Sequence, residues 1–136
     1  MPVDGRTRVL IAGSDRALGD LYRGALQAGA WEVEVVHDGR STLDRIRASP
    51  PDLLLVDALP DYDSITLIKT VRDNPRTRDL AVVVLYDTVD RRDPAQAKGL
   101  GVLAWLIKNR VTRSKLLETL TALLENPPTV GRLDET

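Results

Sequence analysis

The residue types that could do chemistry converge on one aspartate. Asp57 closes the run Asp52–Leu53–Leu54–Leu55–Val56–Asp57, which Pro50–Pro51 precede and Pro60 follows. Four consecutive apolar residues in a segment this short read as a strand buried on both faces. Such a strand lies mid-sheet, and open α/β sheets place their sites just beyond the carboxyl ends of their strands. Lys108, after another apolar run, is the cation that could pair with Asp57 or Asp87. Gly13–Ser14–Asp15 sits where a helix begins; Ser14 or Asp15 can cap it, and its backbone N–H groups could face an anion. Asp61 and Asp63 read as turn formers. His37 is the only histidine, and a lone histidine makes no metal site. The chain has no cysteine, no Ser–His or Cys–His constellation, and no glycine-rich phosphate loop after its first strand.

The elements that must position these groups follow from the hydrophobic pattern. Arg8–Ala12, Leu80–Leu85 and Val102–Ile107 read as further strands, and Trp31–Val36 alternates as an edge strand does. Leu18, Leu21, Tyr22, Ala25 and Leu26 recur at helical spacing before Gly29. Leu43 and Ile46 mark a helix over 41–48, and Ile65, Ile68, Val71 and Arg72 a third. A fourth spans about 90–98. Leu116, Leu117, Leu120, Leu123 and Leu124 stripe the last. Strand and helix alternate five times, which predicts an α/β flavodoxin-like (βα)5 three-layer sandwich with a parallel sheet in the order 2-1-3-4-5. Residues 1–7 read as a lead-in, 8–126 as the domain and 127–136 as a tail.

Bulk composition narrows the function classes. The 136 residues are 43% hydrophobic and 29% charged with a net charge of −1, which fits one globular domain with its own core. That balance argues against direct nucleic-acid binding and against an anionic membrane surface. No segment has the apolar core of a signal peptide or the length of a membrane span, so a cytoplasmic protein is expected.

Two motifs carry a family likeness across about Arg8–Leu124. Val56–Asp57 followed by Pro60 and Asp63, and Ala97–Lys98–Gly99–Leu100–Gly101 followed by Trp105 and Lys108, resemble the response-regulator receiver domains of two-component signalling, the CheY-like family. The resemblance implies that Asp57 is the phosphoacceptor position, served by a histidine kinase. Lys108 and a Mg2+ ion would neutralise the phosphoryl oxygens.

The departures cluster at that site. Where the family carries an acidic pair after the first strand, this chain has Gly13 and Ser14. Asp57 and, weakly, Asp15 are then the only metal ligands in prospect, so Mg2+ is expected to be held poorly. Tyr86 and Trp105 occupy the two switch positions. Tyr86 replaces a small hydroxyl residue, so Trp105 is expected to be fixed outward. Asn109 replaces the usual proline after the lysine, so a trans peptide is expected there. The expectation is therefore a pseudo-receiver and phosphorelay relative that acts by protein–protein contact and is not an enzyme. Its partner would be a histidine kinase or another signalling protein, or a second copy docked on the face made by the fourth and fifth helices and the fifth strand. The rival reading is a small flavodoxin-like ligand-binding or enzymatic domain.

Overall fold

The computed structural model describes residues 7–27, 31–86, 99–107 and 112–125. Its strands are β1 (Arg8–Ala12), β2 (Glu32–Val36), β3 (Leu53–Val56), β4 (Ala81–Tyr86) and β5 (Val102–Ile107). They form one parallel sheet in the order β2-β1-β3-β4-β5, as the alternation of elements predicts. The described helices are α1 (Arg16–Gln27), α2 (Gly39–Ala48), α3 (Ser64–Asp73) and α4 (Arg113–Glu125). The helix expected near 90–98 lies outside the described residues, as do 1–6 and 126–136.

The sheet register explains the unbroken apolar run of β3. Leu54 lies between Leu10 and Val82, and Leu55 between Ile11 and Val83. Successive side chains point to opposite faces, so the two leucines enter different layers. Leu54 joins Leu10 and Val82 under Leu43 and Ile46 of α2 and Ile68 and Val71 of α3. Leu55 joins Ile11 and Val83 under Tyr22 and Leu26 of α1 and Leu116 and Leu120 of α4. With a helical layer on each side, all four residues of β3 are completely buried.

Local chemistry sets the helix boundaries. Asp38 caps α2, its carboxylate accepting the Ser41 N–H at 2.6 Å, and α2 starts at Gly39 rather than at the expected Ser41. Asp63 caps α3 by accepting the Thr66 N–H at 3.3 Å. On α1, Tyr22 and Leu26 face inward, but Leu21, expected on the same stripe, is 41% exposed. Successive helical positions are about 100° apart, and here Tyr22 takes the centre of the inward stripe while Leu21 falls at its solvent margin. No helix among the described residues is long and apolar enough to cross a membrane.

Candidate functional site

Asp57 sits just past the end of β3, and the β1–β3 ladder continues beyond both strands to hold it. Its N–H donates to the Ala12 carbonyl at 2.7 Å, and the Ser14 N–H donates to the Ala58 carbonyl at 2.9 Å. The side chain is only 5% exposed, and its Oδ1 accepts the Ala58 N–H at 2.6 Å. A buried carboxylate requires such partners.

Gly13 lies directly against it. The Gly13 N–H donates to the Val36 carbonyl at 3.0 Å. Its own carbonyl oxygen can only accept, so the 3.1 Å contact with His37 Nδ1 places a proton on that ring nitrogen. The sole histidine thus braces the end of β1. A Cβ built on Gly13 would stand 2.9 Å from the Asp57 Cβ and 3.6 Å from its Cγ.

Asp15 and Tyr22 complete this end of the sheet. Asp15 is exposed, and its main-chain carbonyl accepts the Gly19 N–H at 3.0 Å as α1 begins. Burial, and then the negative charges of Asp57 and Asp15, push the Tyr22 phenol above its usual range, so it stays protonated. The apolar stripe alone marks Tyr22 as a core residue, but it also lies two helical turns after Asp15, on the same side of the helix.

The loop after Asp57 is fastened to α2. Asp61, expected to form a turn, lies in a bend and also accepts the Gly39 N–H at 2.6 Å and the Arg40 N–H at 3.2 Å. These first-turn donors have no partners within the helix, and Asp61 reaches them from 22 residues away. Tyr62 packs on Gly39: a Cβ there would lie 2.7 Å from the ring Cγ and 2.8 Å from the Tyr62 Cβ. The two N–H donors, Gly39 first, hold the Asp61 carboxyl below the usual carboxylate range. A depressed folded-state pKa contributes stability above the unfolded value of about 3.9 and loses it as pH falls through the folded value. Asp61→Ala will therefore lower the Tm at pH 7, and the gap from the wild type will close as the pH is taken below about 4. Thermal melts across that range check this; a gap that stays constant with pH would remove the carboxylate from the account.

The other expected site residues divide into two groups. Lys108, Asp87 and Asn109 lie outside the described residues, so the trans peptide expected at Asn109 does too. Tyr86 ends β4 and pairs with Ile107, and its side chain also lies outside the described part. Trp105, expected outward, is half-buried: it sits opposite Val84 in the ladder and packs against the core layer under α2 and α3. Position in the pleat sets which layer it enters. The geometry thus brings Asp57, Gly13, Ser14, Asp15 and Tyr22 together at the carboxyl ends of β1 and β3.

A buried aspartate at that edge, on a sheet of this order, can be compared with known proteins. No family model matches the chain. The transcriptional regulatory protein BaeR of Escherichia coli is 28% identical over 130 residues, covering 94% of this chain and 53% of that protein. The transcriptional regulatory protein TrcR of Mycobacterium tuberculosis is 37% identical over 68 residues, 49% of this chain and 26% of that protein. The crystal structure of a putative response regulator from Chloroflexus aurantiacus superposes with a TM-score of 0.80 at 25% identity, covering 89% of this chain and 99% of that one. This chain is a response-regulator receiver domain. It spans about half of BaeR and about a quarter of TrcR. The receiver's place is in two-component signal transduction.

Receiver domains commonly hold Mg2+ or Mn2+ in an acidic pocket. Mg2+ demands near-octahedral oxygen coordination and is anchored by carboxylates. In this receiver the end of β1 offers Gly13 and Ser14, and Asp57 Oδ1 is already engaged by Ala58. Among the described residues, no group of three or more His, Asp or Glu could hold an ion. Of the carboxylates expected to serve an ion, Asp57 and Asp15 are both described at this edge of the sheet.

Proposed function

We propose that this receiver signals chiefly by protein–protein contact, with Asp57 as its phosphoacceptor position and metal-assisted phosphoryl transfer weak or lost. The observation that carries this reading is the bare Gly13 Cα packed on Asp57 where the family has an acid. Phosphoryl transfer places charge on three oxygens, which needs nearby cations. Lys108 is the proposed point charge, and Tyr86 and Trp105 are the proposed switch positions. The proposed partner is a histidine kinase or another signalling protein. A second copy is the alternative partner, through the face of β5 and its flanking helices, where Trp105 is a residue type suited to a hot spot. No cofactor other than the divalent ion is proposed, and the module is proposed to be non-enzymatic.

Acetyl phosphate or phosphoramidate with Mg2+, read by intact mass, tests this. The wild type will gain little or no phosphoryl mass, and Asp57→Asn will leave partner binding unchanged. Stoichiometric labelling that Asp57→Asn abolishes would establish a working receiver instead.

A further inference from the structure

We infer that Gly13 determines what this site can hold: it seats Asp57 against the end of β1 and closes the place an acidic metal ligand would need. Carboxylates restored at 13 and 14 will therefore not rebuild a metal site. This deepens the reading of a metal-poor receiver and rests on it.

Residue 13 is held from three directions. Its N–H is bonded to Val36, its carbonyl to His37, and its Cα faces the Asp57 Cβ. Asp57 is equally constrained, through its own N–H to Ala12 and through Oδ1 to the Ala58 N–H. The Ser14 N–H bond to Ala58 closes the ladder just beyond the contact. An added Cβ would meet the Asp57 Cβ at 2.9 Å, one bond from the main chain rather than at the end of a flexible side chain. Relief of that contact must therefore come from the main chain of β1 or β3.

The need for glycine here is spatial. Among the described residues the glycines with positive φ are Gly99 and Gly101, so residue 13 adopts a backbone open to any L-amino acid. Aspartate at 13 would add, besides that Cβ, a second carboxylate beside a buried one, and like charges at short range oppose each other. The chain would then have to turn Asp57 away or part β1 from β3. Ser14 is exposed and carries no such limit. The missing acid at 13 and the position of Asp57 are thus one structural fact.

The test compares the full chain with Gly13→Ala, Ser14→Asp and the double variant Gly13→Asp/Ser14→Asp. Thermal melts and Mn2+ titration followed by electron paramagnetic resonance of the free ion are the readouts. Gly13→Ala will lower the Tm by on the order of 5–10 °C, whereas Ser14→Asp will move it by less than about 2 °C. The double variant will bind Mn2+ no more than about threefold tighter than the wild type. Equal Tm shifts for the two single variants would overturn the inference. So would a folded double variant that binds Mn2+ roughly tenfold tighter or more. If the double variant does not fold, the two single variants decide. Tight Mn2+ binding by the wild type itself would sink the metal-poor reading, while the effect of Gly13→Ala on Tm would still report the steric contact separately.

Discussion

Leu54→Ala will cost about 3–5 kcal/mol of folding stability, the cost of truncating a fully enclosed leucine. For a domain whose total stability is about 5–15 kcal/mol, that lowers the Tm by on the order of 15 °C. Leu54 is completely buried, with Leu10 and Val82 beside it in the ladder and α2 and α3 above it. The cavity left would be walled by two neighbouring strands and two helices, so little can move in to fill it. Leu55→Ala will cost a similar amount by opening the other layer, under α1 and α4. Leu21→Ala, on the exposed side of α1, will cost less than about 0.5 kcal/mol. Urea unfolding of the three variants measures these values. A loss below about 1 kcal/mol at Leu54 would contradict a central β3, and the site at its end would lose its frame.

Arg72→Met will cost about 3 kcal/mol although no apolar contact is lost, because it removes a clasp of main-chain carbonyls. The Arg72 guanidinium donates to the carbonyls of Leu100 at 2.5 Å, Leu80 at 2.7 Å, Arg78 at 2.8 Å and Gly101 at 3.2 Å. It thereby joins the end of α3, the approach to β4 and the turn before β5, where Gly99 and Gly101 take φ values of 87° and 69°. Hydrogen bonds from a charged donor contribute about 1.5–3 kcal/mol each, but the outer carbonyls can turn to water, so the cost falls well below the sum. Arg72→Lys will recover roughly half the loss, because an ammonium cannot span four acceptors arranged for a planar fork. Hydrogen exchange will show the difference first at the start of β5. A Met variant as stable as the wild type would show that solvent replaces the clasp entirely.

What could be read in advance depended on range. Apolar runs and helical stripes are local, so β1, β3 and β5, α3 and α4, and the sheet order follow from them. Asp57 at the lip of a central strand was legible for the same reason. The cap made by Asp61 was not: its partners on Gly39 and Arg40 lie more than 20 residues away, and nothing beside it marks a helix cap in addition to a turn. The setting of Trp105 depends on which face of the sheet it enters, which is a matter of its register with β4 and not of its residue type. Arg72 was read only as part of a helical stripe, since its four acceptors are carbonyls that no residue type announces.

The sequence by itself determined a five-strand parallel sheet, an aspartate at its middle edge and the absence of a neighbouring acidic pair, because periodicity and residue identity are properties of the chain. Only the tertiary structure decided that Gly13 touches Asp57, that His37 and Val36 pin it there, and that Asp61 ties the following loop to α2. Those are distances between segments far apart along the chain, and they exist only once the strands are side by side.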